Sequence, residues 1–273
     1  MLSLNDNIQW EKLDSPFGNS KEVPELIEKL AATADIDLLV EITTEYITHQ
    51  MSLYEVTFAA FPHLVAIIEN AHDKAFQLET LLSTAVMLSE YGGDHEMDSI
   101  FANSKIQGDQ VDVLKSAFKT AFKKLKSLTH SLEEEVLQKD ESERKYFLLT
   151  LAVANKCYSV ACILWRYHEN EEYECCCPNC DETFILWNEE DKLVLYKEDP
   201  VFTKEQEKFA VEPSTLSPLD FSETISSDKN YEWLSYYIHK LDIIPLKTTI
   251  NYLFGTTHCP YCKMEFGVFE NIQ

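Results

Sequence analysis

Apolar residues recur at helical spacing through the first 170 residues of the chain. A helix entry is predicted at Ser20, Glu22 and Pro24, because proline is tolerated in the first turn and acidic side chains favour the positive end of the helix dipole. Leu26, Ile27 and Leu30 then form an apolar stripe. Pro62 lies inside a later helical stretch, where we expect a bend or a join of two pieces. Stacked helix pairs of this kind predict a HEAT-like α-solenoid over residues 1–170. Further helices are predicted at about 35–48, 52–70, 73–90, 109–138 and 142–168, with a polar loop at 94–98.

The pattern changes after residue 170, where shorter segments alternate apolar and polar residues. ETFILWN and KLVLYKED predict a β-hairpin around a polar turn at 188–191, and KMEFGVFENI near the end predicts another strand. Residues 199–229 have the composition of a connector, and helices are predicted at 231–241 and 245–255. We therefore predict a small β zinc ribbon at 171–273 with a helical insertion at about 199–255.

Two cysteine pairs carry the clearest chemical signal. Cys177 and Cys180 flank Pro-Asn, and Cys259 and Cys262 flank Pro-Tyr. A Cys-x2-Cys turn points both thiolates at one ion, so two such turns predict a tetrahedral four-cysteine Zn²⁺ site that is structural rather than catalytic. The same spacing also serves redox chemistry or disulfides. The neighbouring Cys175, Cys176 and His258 remain alternative ligands.

Charge narrows the partners that the chain can bind. The sequence holds 47 acidic and 23 basic residues, for a formal charge of −24. Such a surface repels nucleic acid and anionic lipid and attracts basic partners. A segment between Lys115 and Lys126 is rich in lysine and could form a local basic face. No signal peptide and no apolar run long enough to span a bilayer is visible, and with cysteines in metal-ligand spacing this predicts a cytoplasmic protein.

The stretch from Trp10 to Pro62 resembles the opening repeats of a bacterial family of HEAT-like helical-repeat proteins. The resemblance implies a cytoplasmic helical scaffold, and some members of the family are encoded near contact-dependent toxin systems, where immunity proteins are found. It rests on Trp10, Leu13, Gly18, Val23-Pro24, Leu26, Leu30, His49-Gln50, Tyr54, Ala59, Pro62 and Leu64.

Two functional hypotheses follow from these features. The first is a non-enzymatic scaffold that binds a basic protein, in one version an immunity protein that binds a basic toxin. The alternative is an enzyme or small-ligand protein with a site near His49, Gln50 and Tyr54, although the common catalytic fingerprints are missing. In the first hypothesis the contacts come from Glu22, Glu25, Asp35, Asp37, Glu41 and Glu45.

Overall fold

The computed structural model describes residues 8–50, 52–167, 172–190, 192–203, 205–215 and 230–273. Within these ranges it contains eleven α-helices and eight β-strands, and the prediction of a mainly helical protein is confirmed. The chain divides into an N-terminal unit that ends at Cys162 and a C-terminal unit that begins at Ile163. No helix in the described part of the chain is both long and apolar enough to cross a membrane.

The N-terminal unit is built from helices that pack around one buried helix. This central helix, α3 (Glu55–Asn70), is buried on nearly every side and packs against α1, α4 and α6. Phe58 and Phe61 of α3 form edge-on and tilted ring contacts with Phe118 of α6, which closes the core. The helices are α1 (Val23–Thr33), α2 (Ile36–Glu41), α3, α4 (Lys74–Val86), α5 (Asp94–Ile100), α6 (Gly108–Ser131), α7 (Glu133–Val136), α8 (Glu141–Ala154) and the first part of α9 (Tyr158–Arg166), which continues past the end of the unit at Cys162.

Several helix boundaries differ from the sequence prediction. The predicted loop at 94–98 is α5, and α3 continues through Pro62 without a break. The single helix predicted at 142–168 is two helices, because Lys156 adopts a left-handed conformation (φ 63°) that ends α8. The helix predicted at 35–48 is α2 followed by a π-helical turn at Ile42–Ile47.

A short ribbon joins this π-helical turn to α3. Strands β1 (Thr48–His49) and β2 (Ser52–Leu53) pair antiparallel. The hydroxyl of Thr57 in α3 accepts a hydrogen bond from the Tyr54 amide at 3.0 Å and donates one to the Ile47 carbonyl. Thr57 is fully buried, so this side chain fixes the start of α3 against the segment before the ribbon.

The C-terminal unit contains a six-stranded antiparallel sheet in which the strands follow one another in chain order. Helix α11 (Ile244–Leu253) packs against β5, and α10 (Asn230–Lys240) packs against α11. The sheet surrounds a core that includes Tyr173, Phe184 and Phe266. The strands are β3 (Glu172–Cys176), β4 (Thr183–Glu189), β5 (Lys192–Tyr196), β6 (Phe209–Glu212), β7 (Thr256–His258) and β8 (Glu265–Gly267).

The sheet curls so that its first strand meets the end of the chain. Cys175 of β3 forms an antiparallel bridge with Ile272, and the Gln273 amide donates to the Glu174 carbonyl at 3.0 Å. These contacts bring β3 next to the segment that follows β8. The loops after β3 and after β7 are therefore neighbours, although they are far apart in the sequence.

The predicted connector is more ordered than its composition indicates. Strand β6 lies inside it and joins β5 to β7, so one continuous sheet replaces the separate hairpin and strand that we predicted. The loop before β6 is hydrogen bonded internally, since Gln206 donates to the Glu198 and Thr203 carbonyls. The rest of the predicted connector, residues 216–229, lies outside the described residues, as does Asp191 of the predicted turn.

Candidate metal centre

Each cysteine pair forms the turn of a β-hairpin. Cys177 and Cys180 lie between β3 and β4, and Cys259 and Cys262 lie between β7 and β8. A hairpin turn places two side chains three residues apart on the same side of the loop. The curl of the sheet then brings the two turns to one place, so that local sequence sets each half of the site and the sheet joins the halves.

The two turns have the same backbone hydrogen bonds. In the first, the Cys177 amide donates to the Glu182 carbonyl at 2.9 Å, and in the second, the Cys259 amide donates to the Met264 carbonyl at 2.9 Å. In both, the residue after the second cysteine donates to the carbonyl of the first at 3.0 Å. That residue has a positive φ in each turn, 58° at Asp181 and 64° at Lys263. The two segments, which share the sequence Cys-Pro-x-Cys, thus adopt one conformation.

The four sulfur atoms converge. All four Sγ atoms lie within 4.8 Å of one another, and the Cys177–Cys262 and Cys180–Cys259 pairs are both 3.6 Å apart. A tetrahedral ion with metal–sulfur bonds of ~2.3 Å needs sulfur atoms about 3.8 Å apart, so the spacing fits a four-thiolate site. The four cysteines could bind a metal ion.

The surroundings of the thiols favour ionisation at one edge of the cluster. Hydrogen bonds from the Asn179 side chain and the Met264 amide lower the pKa of Cys262 to about 6. The Glu182 amide acts in the same direction on Cys180, but burial and hydrogen bonds with the other three thiols raise the pKa of Cys180 to about 12. The thiolate is the form that binds metals, and the lowered pKa of Cys262 favours that form. A bound cation would favour ionisation of the remaining thiols.

The other candidate ligands lie outside the cluster. Cys175 faces the core of the sheet, where burial raises the pKa of its thiol to about 12. The Cys176 thiol lies 3.9 Å from the Cys177 carbonyl. His258 is exposed and lies 3.5 Å from Glu265 on the neighbouring strand. Among the described residues, the cluster of possible metal ligands at these two turns consists of the two cysteine pairs alone.

The predicted acidic surface lies on α1, α2 and the segments that flank them. All six carboxylates are exposed. Glu22 accepts a hydrogen bond from the Tyr46 hydroxyl at 3.2 Å. Asp35 also has a structural role, because its carboxylate caps α2 by accepting the amides of Asp37 and Leu38 at 3.0 and 3.3 Å. The remaining acidic side chains of this set point to solvent without a capping role.

His49, Gln50 and Tyr54 lie together at the β1–β2 ribbon. The His49 ring packs edge-on against Phe17 at 4.9 Å, and Gln50 occupies the turn with a positive φ of 47°. Tyr54 is the residue before α3, and its amide is held by Thr57 as described above. The three residues are thus positioned by the ribbon and by the start of α3.

A groove that the sequence analysis did not predict lies between α3 and α6. It has a volume of about 580 Å³, and His63, Ala66, Ala117 and Thr120 are among its lining residues. The signal in the sequence is a run of small residues on one face of α6, at positions 116, 117, 120 and 121. Small side chains at helical spacing leave a depression beside a helix packed against its neighbour.

The lysines of α6 are largely paired with acidic residues of the same unit. Lys115 contacts Asp98 at 2.7 Å, and Lys119 contacts Asp94 at 2.8 Å. Lys124 contacts Glu69 at 2.6 Å. Three of the five lysines between Lys115 and Lys126 are therefore neutralised within the unit, whereas the exposed Lys123 and Lys126 keep the segment weakly basic.

Comparisons with protein-family models, with curated proteins and with solved structures found no match. The resemblance to HEAT-like helical-repeat proteins stays a prediction, and function has to be argued from the residues themselves.

Proposed function

We propose that the protein is a non-enzymatic, cytoplasmic protein-binding scaffold whose C-terminal unit is stabilised by a structural zinc ion. The observation that supports a zinc site is that the four thiols lie close enough together to coordinate one tetrahedral ion. Four thiolates match the preference of Zn²⁺ and leave no open position for a substrate or a catalytic water. On this proposal the curled sheet is an elaborated zinc ribbon, and the helices of the N-terminal unit form a HEAT-like array.

Metal analysis of the purified chain tests the zinc proposal. We expect one zinc per chain after purification under reducing conditions, and a loss of at least nine-tenths of it in the double variant Cys180→Ser/Cys262→Ser. The matched control is Cys162→Ser/Cys176→Ser, which removes two thiols outside the cluster and should keep full zinc. Iron in place of zinc, or equal zinc in both variants, would contradict the proposal.

The scaffold role rests on the exposed carboxylates of the first 45 residues and on the formal charge of −24. Opposite charge steers a basic partner and makes its association fast and salt-sensitive. The residues proposed for this contact are those at positions 22, 25, 35, 37, 41 and 45. An immunity protein that neutralises a basic toxin is one concrete form of this role.

Capture from the native lysate at low and high salt tests the scaffold role. We expect a basic protein that is retained at low salt, released at high salt, and lost when Glu22, Glu25, Asp37, Glu41 and Glu45 are neutralised. Asp35 is kept because it caps α2. The control neutralises five exposed acids of the C-terminal unit and should retain the protein. A bound metabolite without any protein partner would contradict the role. The control acids are Glu172, Glu205, Glu207, Glu212 and Glu270.

A further inference from the structure

The groove between α3 and α6 runs along both helices. On α6 its lining residues extend from Asp112 to Lys124, which is about 18 Å at 1.5 Å per residue. On α3 they extend from Pro62 to Glu69. The volume of about 580 Å³ lies within the range of about 300–1,000 Å³ that is usual for small-molecule sites, so volume alone does not select the occupant. The α3 wall is about 10 Å long, so the groove has room for two to three turns of another helix.

The floor of the groove is built from short side chains. Ala66 on α3 faces the same space as Ala117 and Ala121 on α6. Short side chains let the backbone of an incoming helix approach closely, so that larger apolar side chains of that helix fill the depression. Val113 adds apolar surface at one end and is 47% exposed, which leaves it available to a partner.

The charges of the groove specify one end of the occupant. Lys124 and Glu69 neutralise each other at one end, with 2.6 Å between them. Asp112, at the other end, is exposed and makes no ion pair or hydrogen bond among the described residues. A lysine or arginine near one end of the incoming helix would meet this carboxylate. A second acidic side chain there would be repelled.

His63 provides a polar group at the base of the groove. Its side chain is only 6% exposed, and its Nε2 atom has no hydrogen-bond partner in the described part of the chain. A buried polar atom without a partner is costly, and such atoms in native structures usually serve a purpose.

We propose that this groove binds an amphipathic helix of a partner protein, with apolar residues at i, i+4 and i+7 and a basic residue at the end next to Asp112. The open walls favour a helix over a small molecule, because Ser116, Thr120 and Asp112 are exposed rather than enclosed. The inference rests on the proposed scaffold role and assigns that role a second surface, separate from the acidic residues of α1 and α2.

A phage-displayed library of random 16-residue peptides, selected against the full chain, provides the probe. We expect enriched peptides with the apolar spacing and one basic end, and their amide-shift perturbations should fall on residues 62–69 and 112–124. Ala117→Phe, which fills the groove, should weaken the best peptide at least tenfold. Ser127→Phe, the same change on α6 outside the groove, should leave its affinity unchanged.

A separate experiment tests the proposed role of Asp112. Asp112→Asn should weaken the best peptide about two- to fivefold, the range of an exposed ion pair, and should not affect a version with glutamine in place of its basic residue. Circular dichroism and melting temperature would show that the variants are folded. Enriched peptides without helical apolar spacing, or an affinity that Ala117→Phe leaves unchanged, would overturn the proposal.

The two proposals fail in different ways. Loss of lysate capture in the variants with neutralised carboxylates tests the scaffold role and does not involve the groove. A partner that depends on the acidic residues but ignores Ala117→Phe would refute the groove and leave the scaffold role standing. A small molecule that copurifies with the chain and is displaced by Ala117→Phe would refute the helix as occupant.

Discussion

Removal of the metal ion should destabilise the C-terminal unit by the free energy with which the folded site binds the ion. The ion would join cysteines that are 79 and 85 residues apart, so the unfolded chain has no preformed site and releases the ion. The binding free energy of a structural zinc ion, with apparent values of about 10–16 kcal/mol in small zinc domains, then adds to the stability of the folded state. A protein domain is stable by only about 5–15 kcal/mol, so this contribution is a large part of the total.

Hydrogen–deuterium exchange is the assay that localises the effect. A loss of this size corresponds to an increase of at least about a thousandfold in the opening equilibrium of the affected amides. We expect this increase in β3, β4, β7 and β8 after chelation under reducing conditions, and its reversal when zinc is returned. In α3 and α6, which contain none of the four ligands, exchange should change little.

Variants separate the metal from the thiols themselves. Cys180→Ser/Cys262→Ser should show the fast exchange even with zinc present, because two ligands are gone. Cys162→Ser/Cys176→Ser should behave as the wild type. Unchanged exchange in the first double variant, or equal acceleration in both, would refute the reasoning that one ion holds the two hairpin turns together.

Three further predictions concern single buried positions. Burial lowers the pKa of His63 to about 4, so between about pH 6.5 and pH 4 this histidine is protonated in the unfolded chain but neutral in the folded chain. Stability should therefore fall by about 3 kcal/mol from pH 7 to pH 4, and denaturant unfolding of His63→Gln should lack that part of the slope. Gly255→Ala would place a Cβ 2.2 Å from the Glu212 carbonyl oxygen, and unfolding should show a loss of about 1–3 kcal/mol or more. Thr57→Val should cost about 1–3 kcal/mol by leaving the Ile47 carbonyl without its donor, whereas Thr57→Ser should cost less.

The cysteine turns were predictable because their geometry is local. Four residues with a cysteine at each end, followed by a residue that tolerates a left-handed conformation, are enough to form each turn. The approach of one turn to the other was predicted from the chemistry of zinc rather than from the chain. What achieves it in the structure is the curl of the sheet, and the bridge between Cys175 and Ile272 has no local signal in the sequence.

Strand β6 shows why the connector was mispredicted. Phe209-Ala-Val-Glu212 is four residues long and lies among prolines and acidic residues, so no window of alternation is long enough to indicate a strand. Its pairing with β5 and β7 supplies the hydrogen bonds that local sequence does not determine. Whether a short segment forms a strand depends on the strands beside it in the folded protein. A pattern in the local sequence therefore does not show where the connector ends and the sheet begins.

The break between α8 and α9 has a similar origin. The stretch from Phe147 to Trp165 has continuous apolar content and contains no glycine or proline, which favours one helix. In the structure α8 ends in a left-handed cap at Lys156: the Cys157 amide donates to the Ala152 carbonyl at 2.9 Å, and the Lys156 amide donates to the Val153 carbonyl at 3.0 Å. These backbone bonds satisfy carbonyls of the last turn, so the helix ends without a glycine.

The charge that a segment presents was the hardest property to predict, because the partners of its charged side chains come from elements that are distant in the sequence. Read alone, α6 carries a run of lysines that could attract an anionic polymer. In the folded unit, three of them contact carboxylates from α3 and α5, 17 to 55 residues away. Each exposed pair contributes little to stability, yet together the three pairs reduce the positive charge of that face, which Lys123 and Lys126 retain in part. The carboxylates of α1, α2 and their flanking segments keep their charge facing solvent, so this surface is negative and would attract the basic partner proposed above.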